Sequence, residues 1–227
     1  MDLYSKSILG FLRTLELDVT LPDGVEILNP YKQDSIFTYV EKFYNKYYHD
    51  HSERVLIAGI NPGRLGGGLT GIPFTDPVKL EDECGIENDM PKKKELSADF
   101  VYQVISAYGG KGKFYQRFYI TSVCPLGFIK GGKNLNYYDL RTLQEAVLPF
   151  IVQSLKAQID FGLNREVAYC LGEGKNYKFL ALLNQREHFF DRIVPLPHPR
   201  FIMQYRRKHL AGFIGDYIAQ LNASHVS

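Results

Sequence analysis

The amino-acid sequence predicts an α/β fold: a single three-layer domain with a central, mainly parallel four-stranded sheet flanked by helices. Short apolar runs rich in β-branched residues alternate along the chain with helical segments, which is the pattern of parallel strands joined by crossover helices. The 227 residues show no break in composition. One domain is therefore expected to span residues 1–227, with the helices of residues 1–50 as part of it.

The first half of the chain supplies the first buried strand and two helices. Residues 35–48 (SIFTYVEKFYNKYY) carry aromatic side chains at helical spacing and predict an amphipathic helix. Residues 54–60 (RVLIAGI) form an apolar run that predicts a buried strand. The polar residues 75–97 predict a long surface excursion, and residues 98–108 predict a helix that ends at a glycine pair.

The second half of the chain supplies the other three strands of the predicted sheet. Their apolar runs are FYITSV, VAYCL and RIVPL, at residues 118–123, 167–171 and 192–196. Helical periodicity predicts helices over residues 140–159, 177–183 and 205–221.

Unusual stretches stand at the carboxyl ends of all four predicted strands. In chain order they read NPGR, CPLGF, GEGK and HPRF. Ligands of open parallel sheets bind outside the carboxyl ends of the strands. The sequence therefore predicts a functional site at this edge of the sheet.

Composition and charge argue against several classes of protein. A net charge of +2 is too weak to indicate polyanion binding by itself. The three cysteines, Cys84, Cys124 and Cys170, lack C-x-x-C spacing, so no metal site is expected. Their odd number predicts a reduced compartment, either the cytoplasm of a bacterium or the nucleus of a eukaryote. Neither a signal peptide nor an apolar run of membrane-spanning length is recognised, and no membrane association is expected.

The glycine-rich loop after the first strand, GINPGRLGGGLTGIPF at residues 59–74, leaves alternatives open. Residues 66–71 satisfy G-x-G-x-x-G, the fingerprint of a dinucleotide site. That fingerprint requires a helix directly after the last glycine, whereas Pro73 and Pro77 oppose one. A nucleotide-cofactor-binding protein is one alternative, and a flexible loop without a ligand is another.

Four short motifs in chain order resemble those of the uracil-DNA glycosylase superfamily, in particular its single-strand-selective monofunctional (SMUG-like) branch. GINPG (59–63) resembles the first active-site motif, and TGIPF (70–74) resembles the segment that supplies a base-stacking phenylalanine. CPLGF (124–128) resembles a block of that branch, and HPR (198–200) stands where the second active-site motif begins. The resemblance covers about residues 54–215 and implies a uracil-DNA glycosylase-like fold.

This resemblance implies a DNA base-excision repair glycosylase that hydrolyses the N-glycosidic bond of uracil or of other deaminated bases. Cleavage leaves an electron-poor sugar and an anionic base. Asn61 is expected to position the attacking water, and His198 is expected to stabilise the leaving base through a hydrogen bond. No cofactor is expected. No lysine is recognised in a position for Schiff-base chemistry, so the resemblance implies a monofunctional enzyme.

The resemblance also implies a pocket for a base that has been flipped out of the DNA stack. The ring of Phe74 is expected to stack on this base. Backbone amides around Ile60, Gly63 and Gly71 are expected to complete the pocket, because glycine permits close approach. Gly63 is also expected to leave room beside the 5-position of the base.

Two positions depart from the family pattern. Ser122 stands where the single-strand-selective branch carries the asparagine that recognises uracil, and a serine cannot make the paired donor–acceptor contact of an amide. A wider set of deaminated bases, including xanthine or hypoxanthine, is therefore expected. Arg200 stands in place of the serine of the His-Pro-Ser motif, where it either replaces that contact with a charge or points away.

DNA is the expected partner, either single- or double-stranded, and the protein is expected to act as a monomer. Phe201, Ile202 and Met203 predict an apolar tip that wedges into the gap left by the flipped base, with a hydrophobic staple as the alternative. Several cations are expected to contact phosphates, namely Lys133, Lys175, Arg200, Arg206 and Arg207, with Lys130 and Lys208 nearby. A non-catalytic DNA-binding relative remains a further alternative.

Overall fold

The computed structural model describes residues 3–223 and confirms the α/β fold, with a four-stranded parallel sheet flanked by helices. Its helices are α1 (Tyr4–Thr14), α2 (Asp34–Tyr47), α3 (Gly67–Thr70), α4 (Pro77–Asp82), α5 (Leu96–Ala107), α6 (Lys111–Arg117), α7 (Arg141–Ile159), α8 (Lys175–Glu187), α9 (Pro199–Tyr205) and α10 (Leu210–Asn222). Its strands are β1 (Val25–Leu28), β2 (Arg54–Gly59), β3 (Phe118–Ser122), β4 (Gly127–Lys130), β5 (Lys133–Leu135), β6 (Leu163–Leu171) and β7 (Arg192–Leu196). Across this part of the chain, no helix is both long and apolar enough to traverse a bilayer.

The central sheet has the strand order β3-β2-β6-β7, and all neighbouring strands run parallel. β2 is buried along its whole length, because crossover helices cover both faces of such a sheet. Gly59 at the end of β2 pairs with Ser122 of β3, and Leu171 of β6 pairs with Leu196 of β7. The carboxyl ends of the four strands therefore meet at one edge, as the sequence predicts.

A second, antiparallel sheet of order β1-β4-β5 is not predicted by the sequence analysis. β4 and β5 form a hairpin whose turn is Gly131-Gly132, with φ of 57° and 70°. Glycine adopts these left-handed conformations without a steric penalty, which is why it is preferred in two-residue hairpin turns. The two strands are too short and too polar to be recognised as apolar runs. This hairpin follows β3 and extends the wall at the carboxyl edge of the central sheet.

Two predicted elements differ from the observed structure. The segment 75–97, predicted as a surface excursion, contains α4 and buries Leu80 and Cys84 completely. Its polar composition concealed these apolar side chains, which face the core. The helix predicted over residues 205–221 is observed as α10, which begins only at Leu210; a 3-10 turn at Arg207–His209 separates it from α9, which ends at Tyr205. α9 begins at Pro199, a residue well suited to the first helical position.

A buried arginine anchors the start of β2. The side chain of Arg54 is 0% exposed and forms an ion pair of 2.8 Å with Asp50. Its guanidinium carbon lies 4.5 Å from the ring centroid of Tyr4 and 4.8 Å from that of Tyr48. Its Nε donates to the carbonyl oxygen of Tyr115 at 2.9 Å. These contacts connect α1, the end of α2 and α6 to the first residue of the central strand.

Candidate active site

A cavity of about 360 Å³ opens at the carboxyl edge of the central sheet. The loop after β2, the end of β3, the segment around β5, the start of α5 and helix α9 all contribute to its wall. Asn61, Phe74 and His198, the three residues on which the sequence-based hypothesis depends, all line this cavity. The fold thus brings together three groups that are far apart in the chain.

Asn61 is held in a fixed orientation by the segment at the end of the β4–β5 hairpin. Its Nδ2 donates to the carbonyl oxygen of Leu135 at 3.2 Å, and its Oδ1 accepts from the backbone N–H of Tyr137 at 3.0 Å. A carboxamide has a second proton on its nitrogen and a second lone pair on its oxygen. Asn61 therefore retains one donor and one acceptor position with which it can hold a water molecule.

His198 stands between β7 and α9, at the N-cap of the helix. Its Nδ1 accepts from the backbone N–H of Arg200 at 3.1 Å, so the neutral ring carries its proton on Nε2. Burial, assisted by the positive charge of Arg200, lowers the pKa of the imidazole to about 4. At neutral pH the ring is therefore uncharged and presents Nε2–H as a hydrogen-bond donor. Its centroid lies 6.2 Å from that of the Phe74 ring.

Phe74 adopts a left-handed backbone conformation with φ of 52°, which is uncommon for a residue other than glycine. Its ring lies directly against Gly59. A Cβ atom added to Gly59 would come within 2.9 Å of two carbons of the ring. A side chain at position 59 would therefore displace the ring, so this glycine is required for the position of Phe74.

The rest of the glycine loop folds back on the protein. α3 spans only Gly67–Thr70, and Gly71 follows it with φ of 74°. The hydroxyl of Thr70 donates to the carbonyl oxygen of Thr75 at 2.7 Å. A dinucleotide site needs a glycine turn that opens a helix long enough to cover the pyrophosphate. The loop lacks such a helix, which removes the main support for the cofactor alternative.

Gly71 does not line the cavity, in contrast to the expectation for it. A Cβ atom added there would lie 2.6 Å from Cγ2 of Val40 and 3.2 Å from Cε1 of Tyr31. Packing against α2 therefore requires a glycine at this position. Ile60 and Gly63, the other two residues expected to supply backbone contacts, do line the cavity.

Ser122 ends β3 and lines the cavity from a buried position, with 5% of its surface exposed. Its Oγ lies 3.5 Å from the point where a Cβ on Gly59 would stand, close to the ring of Phe74. A hydroxyl rotates to act as donor or acceptor. Ser122 thus offers one adaptable hydrogen bond in this part of the cavity.

Glu95 is a cavity residue that the sequence analysis does not identify. Its carboxyl occupies the space beside Gly63, where an added Cβ would lie 2.8 Å from Oε1. Burial raises the pKa of this carboxyl to about 7; Asp76 adds to the rise, whereas a hydrogen bond from Ser97 and the charge of Arg200 oppose it. The room expected beside Gly63 is therefore filled by a titratable group.

A buried carboxylate fixes the backbone that carries Glu95. Asp76, with 1% of its surface exposed, accepts from the backbone N–H of Glu95 at 2.8 Å. Its second oxygen caps α4 by accepting from the backbone N–H of Lys79 at 2.8 Å. The loop before α5 and the start of α4 are thereby held together behind the cavity wall.

A cationic groove of about 350 Å³ adjoins the cavity. Four cationic side chains line it: Arg64, Lys94, Lys133 and Arg200. The groove and the cavity share Glu95, Asn134 and Arg200. Lys133 and Arg200 belong to the predicted DNA-binding residues. Arg64 and Lys94 do not, because in the sequence they belong to a loop and to a charge run without a recognisable motif.

The predicted apolar tip is wrong for two of its three residues. Ile202 and Met203 are 0% and 5% exposed and lie in the core, because α9 packs against α5. Phe201 is 42% exposed, and Tyr205, one helical turn later, is 61% exposed. Phe201 and Tyr205 both line the cavity.

The remaining cations predicted to contact DNA lie outside the cavity. Arg206 and Arg207 are exposed at the end of α9, and the guanidinium carbon of Arg206 lies 5.4 Å from the ring centroid of Phe201. Lys175 begins α8, and its Nζ lies 5.9 Å from the ring centroid of Tyr138. Lys175 lines neither the cavity nor the cationic groove. Contact of these three residues with DNA stays a prediction.

Within residues 3–223, no group of three or more His, Cys, Asp and Glu side chains is arranged to hold a metal ion. Cys84, Cys124 and Cys170 are buried as free thiols.

The chain is similar to known proteins over most of its length. The family model of the Uracil DNA glycosylase superfamily matches residues 46–222. Among solved structures, the crystal structure of wild-type SMUG2 from Pedobacter heparinus is similar, with a TM-score of 0.94 and 44% sequence identity. That match covers 98% of this chain and 98% of the other. The residues that line the cavity all fall within the range matched by the family model.

Proposed function

Since the chain belongs to the uracil-DNA glycosylase superfamily and is a SMUG-like DNA glycosylase of base-excision repair, we propose that it is monofunctional and hydrolyses the N-glycosidic bond of uracil and of other deaminated bases in DNA. The observation that carries this proposal is the convergence of Asn61, Phe74 and His198 on one cavity. A flat base can stack on an aromatic ring there while polar groups reach both the base and the sugar.

The walls of the cavity support a broad choice of base. A base that stacks on Phe74 meets the hydroxyl of Ser122, which donates or accepts according to its partner. Serine lacks the paired donor and acceptor with which an amide selects uracil. The carboxyl of Glu95 adds a second polar group beside Gly63. Deaminated purines such as xanthine and hypoxanthine are therefore proposed as substrates in addition to uracil.

Departure of the base is assisted by His198. As the bond between C1′ and the base nitrogen breaks, negative charge collects on a carbonyl oxygen of the base. The neutral imidazole donates its Nε2 proton in a hydrogen bond to that oxygen. One preorganised donor of this kind contributes about 10²–10³ in rate. Because the pKa of His198 is about 4, the ring performs this role without a charge at physiological pH.

Attack of water completes the reaction. The bond electrons leave with the base, and C1′ becomes cationic. Asn61 accepts a hydrogen bond from a water, whose oxygen then bonds to C1′; one water proton is released and the departing base is protonated in solution. The products are an abasic site and the free base. Among the residues that the structure describes, the cavity lining contains no lysine, which supports hydrolysis without a Schiff base.

DNA is the substrate of this family, and the cationic groove supports a path for its backbone. Arg64, Lys94, Lys133 and Arg200 come from different segments but line one groove beside the cavity. Phosphates next to the flipped nucleotide are proposed to lie there. All groups of the site come from one chain, so a monomer is the proposed active unit, in the cytoplasm of a bacterium or the nucleus of a eukaryote.

The proposal is tested with a panel of oligonucleotides that carry uracil, xanthine or hypoxanthine in single-stranded and duplex form. Strand breaks that appear only after alkali treatment indicate abasic sites and hence a monofunctional enzyme. We expect His198→Ala to lower the single-turnover rate about 10²–10³-fold, and Asn61→Ala to reduce it comparably. Leu182→Ala, an exposed substitution on α8, serves as the matched control.

Three outcomes would contradict the proposal. Breaks without alkali would indicate lyase chemistry. DNA binding without excision of any base would favour a non-catalytic relative. Excision of uracil alone, unaltered by Ser122→Asn, would argue against the proposed role of Ser122 in base selection.

A further inference from the structure

Two exposed aromatic rings at the rim of the cavity have no role in the chemistry proposed above. Phe201 and Tyr205 stand four residues apart on α9 and therefore project from the same helix face. They are 42% and 61% exposed, whereas aromatic side chains are normally buried in large part. We refer to Phe201 and Tyr205 together as the rim platform.

The two rings of the rim platform contact each other and a neighbouring cation. The two ring centroids lie 5.7 Å apart with an interplanar angle of 46°. Arg206 stacks its guanidinium carbon 5.4 Å from the Phe201 centroid. Between the two rings in sequence, Ile202 and Met203 are buried and attach α9 to the core. The platform thus stands on a helix that is packed against the core through Ile202 and Met203, while its own two rings face solvent.

The charges around the platform indicate what it contacts. Arg206, Arg207 and Lys208 follow it directly and are exposed, and Arg200 precedes it at the entrance to the cationic groove. A ligand that offers flat apolar faces together with negative charges fits this combination. Nucleotides of a single strand have both features, because each base has a π-face and each linkage carries a phosphate.

The rim platform is continuous with the cavity, which indicates which nucleotide of the strand it contacts. The cavity that contains Phe74 and His198 is also lined by Phe201 and Tyr205. When one nucleotide of a strand is turned into the cavity, the base next to it along the strand lies within reach of the cavity rim, of which Phe201 and Tyr205 form one side. In a duplex that neighbour is paired and stacked, whereas in a single strand it is free to stack on protein.

We propose that the rim platform stacks the unpaired base adjacent to the flipped nucleotide, and that this contact favours single-stranded over duplex substrate. This inference rests on the proposed function, since it takes the cavity to be the site of the flipped base. The predicted wedge would act in the opposite sense, because a wedge inserts into a duplex and fills the gap that the flipped base leaves.

The test measures binding of single-stranded oligonucleotides that carry a 2′-fluoro-substituted deoxyuridine, a nucleotide whose fluorine slows glycosidic cleavage. One oligonucleotide is intact, and two others replace the 5′ or the 3′ neighbour by a tetrahydrofuran abasic analogue. We expect wild-type protein to lose about five- to a hundredfold in affinity when one of these neighbouring bases is removed.

Variants identify the residues responsible. Tyr205→Ala and Phe201→Ala should bind the intact strand more weakly and lose little further when the neighbouring base is absent. Tyr205→Phe keeps the ring and should respond as the wild type does. Leu182→Ala, another exposed apolar side chain, is the matched control and should have no effect. Thermal unfolding of each variant checks that α9 remains folded, which the exposure of both rings favours.

An equal response of wild type and Tyr205→Ala to removal of either neighbouring base would overturn the inference. The inference would also be overturned if Tyr205→Ala or Phe201→Ala lost excision from duplex DNA but kept normal excision from single strands, because that result is the signature of a wedge. Because affinity is measured without turnover, a failure of the proposed glycosylase activity would leave this test interpretable. Conversely, normal base excision with no coupling to the neighbour would reject the platform alone.

Discussion

At the scale of a single residue, the partly desolvated carboxyl of Glu95 in the cavity wall lowers the stability of the folded protein at neutral and higher pH. Its carboxyl lies beside Gly63, and burial raises its pKa from 4.5 to about 7. The folded state therefore binds this proton more tightly than the unfolded state does. The resulting stabilisation is complete below pH 4.5 and is lost as the pH rises through about 7.

We accordingly expect Glu95→Gln to raise the free energy of unfolding at pH 8, by about 1–3 kcal/mol, because the amide keeps the shape without a charge to desolvate. At pH 5 the difference between variant and wild type should be much smaller. Urea unfolding at both pH values measures it, with exposed Glu145→Gln as the control. A variant that is equally stable relative to wild type at both pH values would mean that the carboxyl is solvated.

Residues differ in how far the sequence alone could identify them. Asn61, Ser122 and His198 stand at strand ends, Phe74 closes the glycine loop in a recognisable motif, and all four line the cavity. Glu95 belongs to the charged run KKKE, a pattern that usually indicates a solvated face. Its place in the cavity depends on the backbone contact with Asp76, which no local pattern in the sequence reveals.

At the scale of elements, the β4–β5 hairpin controls the orientation of Asn61. The hairpin is closed by Gly131 and Gly132, both with positive φ, and its end supplies the backbone groups of Leu135 and Tyr137 that hold the Asn61 amide. A side chain at either glycine meets open space but strains the left-handed backbone. We therefore expect strain in this turn to displace the Asn61 amide, which is proposed to position the water.

We expect the double substitution Gly131→Ala and Gly132→Ala to destabilise the protein by about 1–3 kcal/mol. It should also lower kcat about ten- to a hundredfold with little change in KM, since misplacement of a catalytic group affects the chemical step. Steady-state kinetics on a uracil oligonucleotide measure both constants. Gly212→Ala in α10, where the added methyl also meets open space, is the control; unchanged kinetics in the hairpin variant would contradict the coupling.

The phase of a short helix explains the failed wedge prediction. Phe201, Ile202 and Met203 are equally apolar in the sequence, and an apolar triplet does not reveal which member faces inward. Because α9 begins at Pro199 and packs against α5, positions 202 and 203 turn to the core, while 201 and 205 turn outward. The packing partner, not the hydrophobicity, separates them.

At the scale of the whole molecule, Arg54 connects the N-terminal helices to the central sheet. Its buried guanidinium contacts Tyr4, Tyr48 and Asp50. This connection supports our proposal that residues 1–227 form one domain, with the N-terminal helices as part of it. Removal of the side chain would leave Asp50 without its partner and a void between two aromatic rings.

We expect Arg54→Ala to lower the free energy of unfolding by about 3–5 kcal/mol. Arg13→Ala, which removes an exposed ion pair with Asp34, should cost less than about 1 kcal/mol. Urea unfolding followed by circular dichroism compares the two. A similar small effect for both variants would show that the buried arginine is not required for packing of the N-terminal helices.

The sequence by itself determined the four strand-forming runs, their alternation with helices and the unusual residues at their ends. From these, the parallel sheet and the meeting of Asn61 and His198 at one edge follow, because parallel strands direct their carboxyl ends the same way. The place of Phe74 in the cavity was implied by its motif. The tertiary structure alone decided the placement of Glu95, Lys94 and the rim platform. Their positions depend on contacts between segments distant in the chain, and such contacts leave no periodic or local signal in the sequence.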